Sequence, residues 1–166
     1  MQHIEGHNEN IIALLEPEIP SNTGNIARTC VLTGTALHLI KPLGFSLDDK
    51  YLKRAGLDYW PELDLTVWES FADFSLFMEK KAAAGMEIIY ATTKAKQDMG
   101  ERDCQNPTLI VFGKETKGID ESILQQHPER CLRIPMKDYG RSLNLANSVN
   151  ILLYDVLRQQ NYPGLK

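Results

Sequence analysis

Short apolar runs recur along the chain, continuous rather than alternating and rich in β-branched residues: 10–16 (NIIALLE), 36–42 (ALHLIKP), 65–68 (LTVW), 86–93 (MEIIYATT), 108–113 (TLIVFG) and 131–136 (CLRIPM). Runs of this length and type predict strands. Between them, 24–34, 48–56, 70–85 and 120–126 have helical spacing, each behind a polar or capping residue. Strands apolar on both faces and separated by helices predict a mostly parallel sheet covered on both sides, an α/β fold. No repeat, low-complexity tract or long linker divides the 166 residues. The whole of 1–166 therefore reads as a single domain, with residues 1–9 as a polar head.

Ligands of such sheets sit beyond the carboxyl ends of the strands, so the strand exits are the places to look. The first exit is EPEIPSNTGNIAR, residues 16–28. Its two prolines predict an extended turn, Asn22 or Thr23 can cap a helix starting near Gly24, and Arg28 then lies about one turn in, able to reach back over the loop mouth. A well-capped loop explains Asn22 equally well. The second exit is LIVFGKETKGIDESIL, residues 109–124. Gly113 permits close backbone approach to a ligand and Gly118 a further turn. The pair has the GxxxxG spacing of a phosphate-binding loop, but Ile119 and Asp120 stand where that loop needs Lys and Ser or Thr. No GxGxxG occurs, so an ordinary dinucleotide fold has no support. Lys114, Glu115 and Lys117 could be solvated loop charges.

The third exit is PMKDYGRSLNLANSVNILLYD, residues 135–155. From Leu143 onward the apolar positions cover far more than one helical face, which predicts a helix buried on two sides: one against the core, one against a second subunit. Ser142 can cap that helix, and Asn144 falls in its first turn, where free amides favour electronegative ligand atoms.

Composition narrows the chemistry. The start, MQHIEGHNEN, is polar, and no apolar run approaches the length of a membrane span, so a cytoplasmic protein without membrane contact is expected. Cys30, Cys104 and Cys131 lie far apart and are read as reduced thiols, and the four histidines form no ligand-spaced cluster, so no metal is expected. A net charge of −4 means that any nucleic-acid partner must be met by a local basic patch. Lys50, Lys53, Arg54, Lys114, Lys117, Lys137 and Arg141 could supply one; the alternative is a solvated mixed-charge surface.

Taken together, NTGNIAR, FGKETKG and IPM…RSLNLANSVNILLYD, in this order, resemble the three motifs of the SPOUT class of S-adenosylmethionine-dependent RNA methyltransferases. The resemblance is strongest to the compact TrmL-like tRNA wobble-ribose 2′-O-methyltransferases, for which LLEPEIPSNTGNIAR, KPLGFSLDDKYLKRAGLDYW and the final YPG are also typical, and it runs from about Asn10 to Gly164.

The resemblance implies a C-terminal trefoil knot, a homodimer with the last helix in its interface, and S-adenosylmethionine held in the knot near Ala91, Gly113, Ile134 and Ser142. It implies functional roles for Asn22, Arg28, Glu115, Ser142 and Asn144, with Arg28 assigned to activate the ribose 2′-hydroxyl, reaching from one subunit toward cofactor in the other. Because a guanidinium is a poor base, Arg28 reads better as a clamp on substrate phosphate that also stabilises the developing alkoxide. Lys53, Arg54, Lys117, Arg141 and Tyr154 become candidate tRNA contacts, although a helix Tyr such as Tyr154 also serves as plain packing. The implied activity is methyl transfer to the ribose 2′-hydroxyl of the wobble nucleotide of tRNA, a cytidine or modified uridine, leucine-type isoacceptors being the expected substrates. The same chemistry on another tRNA or rRNA ribose, and a non-catalytic knotted RNA-binding protein, are the alternatives.

Overall fold

The computed structural model of the chain describes residues 6–50, 52, 54 and 58–166. The predicted segment 48–56 lies partly, and Lys53 wholly, outside the described residues. The elements run β1 (Ile11–Leu15), α1 (Pro20–Thr33), β2 (Ala36–Ile40), β3 (Leu65–Trp68), α2 (Phe71–Ala83), β4 (Glu87–Ala91), β5 (Thr108–Phe112), α3 (Glu121–Gln126), β6 (Cys131–Leu132) and α4 (Leu145–Gln159). Six strands form one sheet in the order β3-β2-β1-β5-β4-β6, every pairing parallel.

Alternation along each strand divides the core between the two faces. Ile12, Leu14, Leu37, Leu39, Ile89, Ile110 and Phe112 meet α1 and α4 on one side. Ile11, Ala13, Leu15, Ile88, Tyr90, Leu109 and Val111 meet α2 and α3 on the other. The second layer also buries His38, whose Nδ1 accepts a hydrogen bond from Trp68 Nε1 at 3.0 Å beside the rings of Phe74 and Phe77.

Helix ends follow from local chemistry. Pro20 opens α1, where a missing N–H does no harm, and Gly34 closes it at φ 70°. Ser70 caps α2 by accepting from the Asp73 N–H, and Asn144 caps α4 by accepting from the Asn147 N–H at 3.3 Å. Two expectations are corrected here. Helix α1 begins at Pro20, so Asn22 and Thr23 sit inside its first turn rather than capping it. The cap of α4 is Asn144 and not Ser142, which remains in the preceding loop. The sixth strand also stops at Leu132, well short of Met136, because only Tyr90 and Ala91 of β4 offer it partners in the ladder.

Helix α4 is buried on one face only, through Ala146, Val149, Leu152, Leu153, Val156 and Leu157. Its Ile151 and Tyr154 are 39% and 47% exposed, so one chain covers one of the two apolar sides that the sequence suggested. Against α1 it is held by a hydrogen bond from Thr29 Oγ1 to Asn150 Oδ1 at 2.8 Å.

Candidate active site

The strand order reverses between β1 and β5, and the loops leaving the carboxyl ends of β1, β4, β5 and β6 enclose a crevice at that edge of the sheet. A cavity of about 590 Å³ occupies it, within the few hundred to about 1,000 Å³ typical of sites for small ligands. Its floor is apolar, with Phe112, Ile119, Leu132, Leu145 and Leu152, and its walls are the loops after β1, β4, β5 and β6.

Eleven of the residues singled out in the sequence line this cavity: Asn22, Ala91, Gly113, Lys114, Glu115, Lys117, Gly118, Ile134, Arg141, Ser142 and Asn144. Three polar side chains tie the walls together. Asn144 Nδ2 donates to Asn22 Oδ1 at 3.0 Å, and Asn22 Nδ2 donates to Glu115 Oε1 over a long 3.4 Å. The three exits are thus joined across about 120 positions of sequence, from 22 through 115 to 144.

Glu115 is committed to this framework. Its Oε2 accepts the Glu18 N–H at 2.8 Å and its Oε1 the Ile19 N–H at 3.0 Å. These are donors just ahead of α1, where negative charge is favoured. A carboxylate with both oxygens engaged in this way positions its neighbours rather than acting as a free base. Beside it, Lys114 Nζ meets Glu16 at 2.8 Å. Burial works against the Lys114 charge, but the hydrogen bond and charge of Glu16, together with the charges of Asp120 and Glu18, outweigh it and raise the pKa.

Gly113 is essential for a different reason from the one inferred above. A Cβ there would lie 2.0 Å from the Gly118 carbonyl carbon and 2.2 Å from the Ile119 nitrogen. The backbone that comes close is the chain's own, folded back after a turn at Gly118 with φ 68°. Ligand clearance follows only secondarily.

Arg28 is not brought to this cavity. With α1 beginning at Pro20 it lies more than two turns in, exposed, with its guanidinium carbon 5.2 Å from the centre of the Tyr59 ring. Arg54 is exposed and Tyr154 sits on the outer face of α4, neither of them lining the cavity. The sequence reading missed Thr92, Thr93 and Lys94, which line the cavity from the β4 exit; the strand-exit rule applied to that strand would have found them. Lys94 is paired with Glu121 at 2.6 Å. Among the described residues no group of three or more His, Cys, Asp or Glu could hold a metal, and no helix is long and apolar enough to cross a membrane.

The arrangement suits a ligand with a flat apolar part for the floor and polar parts for the backbone groups and amides at the rim. An adenosine bearing an amino-acid tail has this character, so the residues present fit S-adenosylmethionine.

Comparison with known proteins agrees with the geometry. Residues 9–154 match the model of the SpoU rRNA Methylase family. A relative from Listeria monocytogenes (serotype 4b, strain F2365) is 51% identical over 159 residues, covering 94% of this chain and 91% of its own. The tRNA (cytidine(34)-2′-O)-methyltransferase of Escherichia coli (strain K12) is 44% identical over 154 residues, covering 92% and 95%. A solved structure bearing on the 2-OH methylation of C/U34 on tRNA superposes with a TM-score of 0.82 at 40% identity, covering 91% of this chain and 95% of that one.

Proposed function

Since this chain belongs to the SpoU rRNA methylase family, we propose that it is an S-adenosylmethionine-dependent methyltransferase acting on the ribose 2′-hydroxyl of the wobble nucleotide, position 34, of tRNA. The observation that carries the reading is the Glu115–Asn22–Asn144 chain, which closes the three motif segments around one cavity at the carboxyl edge of the sheet. The full-length relatives named for position 34 supply the substrate.

When bound, the sulfonium supplies a methyl carbon already activated for attack by an oxygen nucleophile. What remains for the chain is alignment, stabilisation of the charge developing on the ribose oxygen, and release of its proton to solvent. The apolar floor fixes the cofactor's orientation, and the Asn22, Asn144 and Ser142 side chains hold the rim. Lys117 and Arg141 stand on the same rim as cations for the tRNA backbone, with Arg54 exposed on the β2–β3 connection.

A homodimer completes this reading. Arg28 faces outward on α1, and the neighbouring α4 presents exposed Ile151 and Tyr154. A second copy seated on this face would cover the apolar side chains and bring its own cavity to Arg28, where the guanidinium binds phosphate and stabilises the reacting oxygen. The trefoil knot belongs to the same proposal. From β6 at the sheet edge the chain returns across the cavity mouth to α4, which packs on α1, and Gln160 Nε2 ends bonded to Asn10 Oδ1 at 3.0 Å at the start of β1. Leucine-type tRNAs are the proposed isoacceptors and the cytoplasm the proposed location.

The test is transfer of a labelled methyl group from S-adenosylmethionine to tRNA lacking wobble modification, followed by nuclease mapping. Label at nucleotide 34 is the expected result. Label only in rRNA would move the same chemistry to another ribose, and cofactor binding without transfer to either RNA would favour a non-catalytic RNA-binding protein.

A further inference from the structure

The cavity is bounded on one side by two loops, 16–19 after β1 and 113–118 after β5, whose strands are neighbours in the sheet. Glu115 reaches from the second loop to the backbone of the first. A return contact exists. Glu18, on the first loop, accepts the Thr116 N–H on Oε2 at 3.1 Å and the Thr116 hydroxyl on Oε1 at 2.9 Å. The two consecutive residues Glu115 and Thr116 are therefore locked to Glu18 by exchanged bonds, each carboxylate accepting from the other's loop.

Glu18 is itself held from behind. The loop after β2 lies so close that a Cβ at Gly44 would be 2.7 Å from Glu18 Cα, and the Gly44 N–H donates to Pro17 O at 2.9 Å. On the near side, Glu16 adopts φ 49°, an uncommon conformation for a residue with a side chain. Its carboxylate is fixed by Lys114 at 2.8 Å. A loop anchored at both ends can transmit position, and Glu18 has no place on the cavity wall while Thr116 does.

We propose that Glu18 and Thr116 form a clasp that positions the cofactor-facing 113–118 loop against the first turn of α1, setting where Glu115 holds Asn22 and hence Asn144. They are positioning residues for the reaction proposed above, and the inference rests on that reading for the identity of the ligand. Charge-assisted hydrogen bonds to a carboxylate are among the stronger ones available, and a shift of about 1 Å in an aligning element can lower a rate about 100-fold.

The experiment is a double-mutant cycle with Glu18→Ala, Thr116→Val and the pair, read in S-adenosylhomocysteine affinity by calorimetry and in kcat for tRNA methylation. All measurements are made well below the lowest melting temperature in the set, with Thr116→Ser as the conservative control. Each single change should weaken S-adenosylhomocysteine about 10-fold and lower kcat by about 10- to 100-fold. The pair should cost no more than Glu18→Ala alone, because the hydroxyl bond lost in Thr116→Val is one of the two that Glu18→Ala already removes, and Thr116→Ser should recover most of the affinity and rate lost in Thr116→Val.

Additive losses would mean that Thr116 acts on the ligand directly, and an ineffective Glu18→Ala would mean that the clasp sets nothing; either overturns the inference. If the wild type binds S-adenosylhomocysteine but methylates no tRNA, the proposed activity fails while the affinity cycle still decides the clasp. If the wild type binds none, both fall.

Discussion

Arg28 offers the sharpest quantitative test because its own cavity does not contain it. Asn22 lines the cavity, and Arg28 follows six residues later on the same helix. At 1.5 Å and 100° per residue this places Arg28 about 9 Å further along the axis and about 120° round from Asn22. If Arg28 acts in catalysis, it acts in the cavity of a second subunit. Losing it should resemble the loss of one oxyanion donor, so Arg28→Ala should fall on the order of 100- to 1,000-fold in kcat, with S-adenosylhomocysteine affinity nearly unchanged. Arg28→Lys should lie between alanine and wild type, because it keeps the charge and loses the planar fork. Ser142→Trp, at an exposed position on the cavity wall, should fill the cavity and inactivate its own subunit. Equal mixing of the two inactive variants gives half mixed dimers, each with one intact composite site, and so about a quarter of wild-type activity. Subunit exchange is confirmed by mass spectrometry of tagged chains. Zero activity in an exchanged mixture would refute the shared site, and a light-scattering mass equal to the 18.8 kDa of one chain would refute it sooner.

Gly113→Ala should destabilise the fold by at least about 1 to 3 kcal/mol in urea unfolding, because its Cβ meets fixed backbone rather than a flexible side chain; unaltered stability would show that the 113–119 backbone can move aside. His38 predicts a pH effect. Burial pushes its pKa down to about 4, Asp64 opposing the shift and Lys81 adding to it. The unfolded chain, with an ordinary value of about 6.5, therefore binds the proton first as pH falls. His38 should remove about 3 kcal/mol of stability between pH ~6.5 and ~4, and should have no effect above that window. The measurement is the difference in unfolding free energy between wild type and His38→Phe across that range, and a difference that does not change with pH would contradict the assignment.

Much of the architecture was legible because parallel strands buried on both faces leave continuous apolar runs. The run 65–68 became β3 residue for residue, and 108–113 became β5 less its final glycine. What depended on neighbours was harder to read. The start of α1 was displaced by four residues because Pro20 is as good a first helical residue as Asn22 is a cap, and local propensity does not choose between them. The run 131–136 overstated β6 because strand length there is set by the short edge that β4 offers. Residue types at the site were legible, but their partners were not. Nothing local tells Glu115 to accept from the amides of Glu18 and Ile19, or Glu18 to answer with Thr116, since these contacts join positions almost 100 residues apart. The outward direction of Arg28 likewise followed from its helix phase relative to Asn22, which required Asn22 to lie within α1 rather than ahead of it.

The central claim, that the methyl goes to a ribose oxygen at one nucleotide, has a direct chemical readout. Alkaline cleavage of RNA proceeds through attack of each free 2′-hydroxyl on its own phosphate, so a methylated ribose protects the bond that follows it. End-labelled tRNA treated with this protein and S-adenosylmethionine, then partially hydrolysed in alkali, should give a ladder with a single gap after nucleotide 34. The gap should be absent without cofactor and strongly reduced with Arg28→Ala. An unbroken ladder despite incorporated methyl label would place the methyl on a base, and a gap elsewhere would place it on another ribose; either contradicts the account.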